Sequence, residues 1–220
     1  MKTEIIMIRH GQSIANAQSR FAGHSDFDLT ELGREQARRA AEYLYNKGQK
    51  LDIIYSSDLL RAHNTALPFS EIYGLPVNDT EELREIYAGG WEGQKVDDIY
   101  REFPEAFTTW RTDFSRARCP DGESTVELYH RIVATVKRLA KENEGKTILI
   151  ATHATPIRAI DCCSHGWEAE RIGDVSFVRN SSISIFEYED GKITQKDIDI
   201  VDHLDPSQIT VVPKNLDDVK

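Results

Sequence analysis

Residues 4–8, EIIMI, run apolar without alternation and stop abruptly at Arg9, His10 and Gly11. A strand with no polar face is buried on both sides, and such strands belong to parallel sheets covered by helices. LDIIYSS at 51–57 and KTILIAT at 146–152 read the same way. Amphipathic segments lie between them, so strands alternate with helices. The expected fold is α/β, a three-layer α/β/α sandwich with a mostly parallel central sheet. Ligands of such sheets bind beyond the carboxyl ends of the strands. Two of these strands run directly into a histidine, Arg9 into His10 and Thr152 into His153, and Arg61 comes soon after the strand at 51–57. Chemistry is therefore expected where these ends converge.

The helices have recognisable limits. Leu29, Leu32, Ala37, Ala40, Ala41 and Leu44 recur near helical spacing, with Thr30 as a cap and Gly48 as a stop. Residues 58–74 predict a helix that Pro68 kinks or interrupts. A short strand after Val77 leads into a glycine-containing loop, and residues 94–113 read as two short helices joined at Pro104. Ser124 and Glu127 form a capping box for a long helix, and residues 154–164 restart another. The alternating segment 181–200 turns at Asp190 and Gly191, a hairpin signature. The polar stretch from about Asp202 onward is expected to be loosely held.

The chain has 220 residues, read as one domain spanning 1–220, and no repeat or linker is visible. Its formal net charge of −10 excludes general affinity for nucleic acid or an anionic membrane. Any anion must instead be met by positive charge concentrated in one pocket. Three cysteines, Cys119, Cys162 and Cys163, fit neither a disulfide framework nor a zinc-site spacing. The apolar run near the N-terminus is too short for a secretion signal or membrane span, so a soluble, cytoplasmic protein is expected.

Two histidines and two arginines around one point suit a dianion such as phosphate, whose oxygens match guanidinium forks. Positive neighbours lower a histidine's pKa and keep the ring neutral, leaving a nitrogen able to attack phosphorus. His10 is the expected nucleophile, its other ring nitrogen held by a backbone carbonyl. His24, His63, His130, His165 and His203 lack metal-ligand spacing and read as packed or surface residues. Trp91, Trp110, Trp167, Tyr87 and Phe107 read as core or pocket-wall aromatics.

The motifs RHGQSIAN (9–16), FAGHSDFDLTELGREQA (21–37), SSDLLRAHNTA (56–66), LREIYAGGWEG (83–93), PDGES (120–124) and THATPIR (152–158) succeed one another along the chain. In this order the sequence resembles the histidine phosphatase superfamily, which includes the cofactor-dependent phosphoglycerate mutases. The resemblance implies a phosphoglycerate mutase-like fold in which residues 86–120 cover the active site. It also implies that His10 accepts the phosphoryl group while Arg9, Arg61 and His153 hold its oxygens. Asn16, Ser13, Gly23 and Ala154 complete the substrate cradle, and Glu85 supplies the proton that the leaving alkoxide needs. Glu85 then takes a proton from the hydrolytic water. Ala154 departs from the pattern, since many relatives have glycine there, and its methyl group narrows the pocket.

Mutase and phosphatase share the phosphohistidine step and differ in the acceptor. The short span from Glu85 to His153 and the GGWEG motif resemble the phosphatase branch, and the paired arginines of a mutase acceptor site are not evident. The expected activity is metal-independent hydrolysis of a small phosphorylated metabolite, with no cofactor and no metal, by a monomer or homodimer. A cofactor-dependent phosphoglycerate mutase is the enzymatic alternative, and an inactive phospho-ligand-binding module the non-enzymatic one. Arg111, Arg116 and Arg118 are either contacts for a second anionic group or a solvated basic loop.

Overall fold

The computed structural model describes residues 1–210. One sheet holds six strands, β1 (Thr3–Arg9), β2 (Ile53–Ser57), β3 (Val77–Thr80), β4 (Thr147–Thr152), β5 (Ile183–Glu189) and β6 (Lys192–Ile200). Their spatial order is β3-β2-β4-β1-β5-β6. β4 runs parallel to both β1 and β2, and β2 parallel to β3. The hairpin of β5 and β6 adds an antiparallel edge beside β1. The mostly parallel sheet read from the three apolar runs is thus present, with β1 and β4 at its centre.

The helices are α1 (Ile14–Ala17), α2 (Glu31–Asn46), α3 (Leu60–Tyr73), α4 (Val96–Glu102), α5 (Pro104–Thr112), α6 (Thr125–Glu142) and α7 (Ala154–Ser164). Side chains alternate across a strand, so β1 feeds two cores. Ile6 and Ile8 pack with Leu149 on Ala40, Ala41 and Leu44 of α2 and on Ala66 and Phe69 of α3. Ile5 and Met7 pack with Ile148 and Ile150 on Leu128, Ile132 and Val136 of α6 and on Ile157 and Ile160 of α7. Helices therefore cover both faces, making three layers. Truncating any of these fully buried isoleucines to alanine costs about 2–5 kcal/mol.

Local signals act where they are placed. The Thr30 hydroxyl accepts from the Gly33 N–H at 3.1 Å, and Ser124 and Glu127 cap α6 reciprocally. Asp190 and Gly191 both take positive φ, 50° and 82°, as a two-residue turn between right-twisted strands requires. Two expectations change. Pro68 does not interrupt α3, which runs unbroken from Leu60 to Tyr73. The buried Ala62, Ala66 and Phe69 fix that helix to the sheet, and this packing outweighs a proline cost of about 3 kcal/mol. The stretch from Asp202 to Thr210 is also packed: Leu204 is buried, His203 Nε2 donates to the Ser181 carbonyl at 3.0 Å, and Gln36 Nε2 donates to the Gln208 carbonyl at 2.6 Å. The remainder of that expected loose tail, 211–220, lies outside the described residues. No helix among the described residues is long and apolar enough to cross a membrane.

Candidate active site

The parallel register of β1 and β4 places Arg9 beside Thr152. The ladder continues one residue further, His10 N–H donating to the Thr152 carbonyl at 2.9 Å. His10 and His153 therefore leave adjacent strands at the same edge, and their rings stand 5.2 Å apart, edge to face at 61°. α3 begins just beyond the neighbouring strand β2 and delivers Arg61 to the same place. Arg9, His10, Arg61 and Glu85 all line one cavity of about 1230 Å³.

Each basic group is aimed by backbone. Arg9 Nη1 donates to the Val178 carbonyl at 2.7 Å, and Arg61 donates to the carbonyls of Gly23 at 2.7 Å and Ser25 at 3.0 Å. The Nε of each is buried with no partner among the described residues, as is His153 Nδ1. Unsatisfied buried donors are costly, and the two guanidinium Nε–H groups, on arginines that line the same cavity, suit an anion's oxygens. Burial pushes both arginines down to about 10, so they stay charged at neutral pH.

His10 Nδ1 lies 2.7 Å from the Gly11 carbonyl oxygen. A carbonyl only accepts, so Nδ1 carries the hydrogen and the lone pair of the neutral ring sits on Nε2. Burial, then Arg61 and Arg9, hold the His10 pKa well below its usual value. Burial and Arg61 do the same to His153, whose Nε2 meets the Ser57 hydroxyl at 2.9 Å. Both rings are neutral at physiological pH. The Glu85 carboxylate accepts from the N–H of Ile86 at 2.9 Å and of Thr155, in the first turn of α7, at 3.4 Å.

Among the described residues, no group of three or more His, Cys, Asp or Glu is arranged to hold a metal ion. The chemistry of the sheet edge is that of a neutral histidine facing fixed cations. A family model for the histidine phosphatase superfamily (branch 1) matches residues 5–200. The chain belongs to that superfamily. Phosphoserine phosphatase 1 of Hydrogenobacter thermophilus is 30% identical over 201 residues, covering 91% of this chain and 94% of its own. Glucosyl-3-phosphoglycerate phosphatase of Mycolicibacterium vanbaalenii is 41% identical over 163 residues, 71% of each chain. The native structure of a mycobacterial glucosyl-3-phosphoglycerate phosphatase superposes with a TM-score of 0.81 at 28% identity, covering 91% of this chain and all of the other (100%).

Within this histidine phosphatase, most residues expected at the site meet there. Asn16, Gly23 and Ala154 line the cavity with Arg9, His10, Arg61 and Glu85, while His153 is fully buried beside the His10 ring. Ser13 does not: it is fully buried and caps α1, its hydroxyl accepting from the Asn16 N–H at 3.1 Å. The serine of RHGQS thus shapes the turn after His10. Of the three arginines in the cover segment, Arg111 lines the cavity, while Arg116 sits 3.5 Å from Asp113 and Arg118 2.6 Å from Glu127, off its walls. Phe107 and Trp110 are walls and Trp91 is core, whereas Tyr87 is 46% exposed and rests against the His24 ring.

Four supports carry no site role in the sequence reading, and only Arg131 of them lies outside the quoted motifs. His24, expected to be an ordinary packed residue, donates from Nε2 to the Glu85 carbonyl at 2.9 Å. Arg131 of α6 donates to the carbonyls of Glu82, Arg84 and Glu85. The Glu92 carboxylate accepts the N–H groups of His24, Ser25 and Ala88, fixing the loop whose Gly23 carbonyl aims Arg61. Arg158 is sandwiched 4.1 Å from the Phe114 ring and 4.3 Å from that of Phe177, at the cavity wall. Arg158 was visible at the end of THATPIR, and its helical offset from Ala154 was the signal that it shares a face with the site.

Proposed function

We propose that this chain hydrolyses small phosphomonoesters in two steps through a phosphohistidine on His10, without a metal ion. The chain is a phosphoric monoester hydrolase, in keeping with its superfamily and its relatives. The observation that carries the route is the Nδ1–H bond from His10 to the Gly11 carbonyl, which leaves Nε2 as the basic nitrogen at the cavity floor.

In the first step Nε2 attacks phosphorus as the bond to the leaving oxygen breaks. Arg9, Arg61 and His153 take the equatorial oxygens on donors that have no other partner among the described residues. Glu85 donates a proton to the departing alkoxide. In the second step a water attacks phosphorus, Glu85 takes its proton, the N–P bond breaks, and neutral His10 and inorganic phosphate result. Two fixed guanidiniums supply the charge that many phosphatases draw from metal ions.

Residues 86–120 serve as a cover over this site within one domain; Ile86, Val96, Phe107 and Trp110 stand on the cavity wall. Phosphoserine and glucosyl-3-phosphoglycerate, the substrates named for the relatives, both carry a carboxylate besides the phosphate, and Arg111 and Arg158 at the wall suit such groups. Three free thiols fit a reducing, cytoplasmic setting. The test is phosphate release from a panel of monoesters including these two, with and without His10→Ala. Release that disappears in the variant supports the route, and undiminished turnover by the variant ends it. Conversion of 3-phosphoglycerate into 2-phosphoglycerate in place of free phosphate reassigns the chain as a mutase.

A further inference from the structure

Asn180 precedes β5, is 3% exposed, and belongs to no motif that carries the phosphate chemistry. Its Nδ2 donates to the His10 carbonyl at 3.0 Å and the Gly11 carbonyl at 3.3 Å, and lies 3.2 Å from Asn16 Oδ1. Three acceptors around one nitrogen fix which end of the amide faces the loop. The other end, Oδ1, accepts from the Thr210 hydroxyl at 2.9 Å. A second tie runs alongside: Gln36 Oε1 accepts the Gln12 N–H at 2.8 Å while its Nε2 donates to the Gln208 carbonyl. The segment 208–210 is therefore wired from two sides into the loop just after the nucleophile.

The Gly11 carbonyl is the common point. It receives the His10 Nδ1–H and the Asn180 amide together. A carbonyl held by a second donor cannot swing away from the ring, and the ring's hydrogen stays on Nδ1. Were that carbonyl free to turn, the neutral imidazole could move its hydrogen to Nε2, where it would block attack.

We propose that Asn180 and Thr210 are positioning residues for His10: Thr210 orients the Asn180 amide, and Asn180 clamps the Gly11 carbonyl that sets the imidazole tautomer. The inference rests on the proposed function, in which Nε2 is the nucleophile. It gives the segment 208–210 a part in the reaction from outside the phosphate cradle. Both residues also stand on the cavity wall, and in this scheme they act through His10, so a direct substrate contact would appear as a loss confined to KM.

The experiment is nitrogen NMR of the full chain with ¹⁵N-labelled histidine, alongside steady-state kinetics on the best substrate of the panel. The unsubstituted protein should show His10 as the Nδ1–H tautomer. In Asn180→Ala and Thr210→Val the His10 signals should move toward a tautomer mixture, and kcat should fall by about 10- to 100-fold with KM within about twofold. Thr210→Ser keeps the hydroxyl and should restore both. Unchanged tautomer signals and kcat in folded Thr210→Val overturn the proposal, as does a loss that appears only in KM. Should Asn180→Ala fail to fold, the Thr210→Val and Thr210→Ser pair decides alone. A chain with no phosphatase activity would defeat the functional reading, yet the tautomer measurement would still test the clamp.

Discussion

Arg131 and Glu123 are joined at both prongs, Nε to Oε1 at 2.9 Å and Nη2 to Oε2 at 2.8 Å, and the same guanidinium reaches the carbonyl of Glu85 at 3.2 Å. A pair between a long helix and the PDGES turn thus braces the backbone of Glu85, the proposed proton donor. Arg131→Leu should strand the Glu123 carboxylate and release three carbonyls. The expected loss is about 2 kcal/mol in urea unfolding and a fall in kcat, with the inhibition constant of inorganic phosphate little changed because Arg9, Arg61 and His153 remain. Equal loss of phosphate affinity would count against the brace.

Arg158 is not replaceable by its nearest chemical relative. Its Nε and Nη2 donate to the carbonyls of Val175 at 2.7 Å and Gly173 at 2.9 Å while its flat face lies between two phenyl rings. A lysine ammonium has neither the fork nor the plane. Arg158→Lys should lower the melting temperature nearly as much as Arg158→Ala, and calorimetry on the two variants checks it. Full recovery by lysine would show that charge alone matters there.

Gly23 combines two demands. Its φ is +50°, and a Cβ there would stand 2.2 Å from Glu92 Oε1. Gly23→Ala must displace either the Glu92 carboxylate or the carbonyl that aims Arg61. We expect KM for phosphomonoesters to rise by at least about tenfold, since a misplaced guanidinium weakens binding of the phosphate directly. Kinetics on the purified variant, with circular dichroism to establish its fold, provide the measurement.

Acid should unfold this protein through its histidines. Burial lowers the pKa of His10 and His153 and takes that of His203 to about 4. Below about pH 6.5 the unfolded chain binds protons that these folded rings refuse. Their contribution is complete above that pH and shrinks as the pH falls from it toward 4. Urea titrations at about pH 7.5 and about pH 5 should show the drop, and His203→Gln, which keeps a donor for the Ser181 carbonyl, should make it smaller.

The sheet and the convergence of His10, His153 and Arg61 were legible because each depends on short apolar runs and on the residues immediately after them. Glu85 was legible only through its motif, since its backbone anchors at Ile86 and Thr155 lie on different elements. Arg131, Glu92 and Asn180 were hidden for the same reason: their partners are 46, 68 and 170 positions away in sequence. Ser13 was misplaced because Ser-x-x-Asn is also a helix cap, and burial, which sequence does not display, chose that role. The stretch 202–210 looked solvent-bound from its polarity, but its hydrogen bonds go to Gln36, Ser181 and Asn180.

The walls of the cavity have different owners. Arg9 and His10 come from the end of β1 at the centre of a six-stranded sheet, whereas Val96, Phe107, Trp110 and Arg111 on the same cavity come from α4 and α5, which hold no place in that sheet. A gene duplicate could therefore be retargeted to a new alcohol by substitutions around Val96, Phe107 and Trp110 alone. Its lineage would inherit the transfer machinery unaltered.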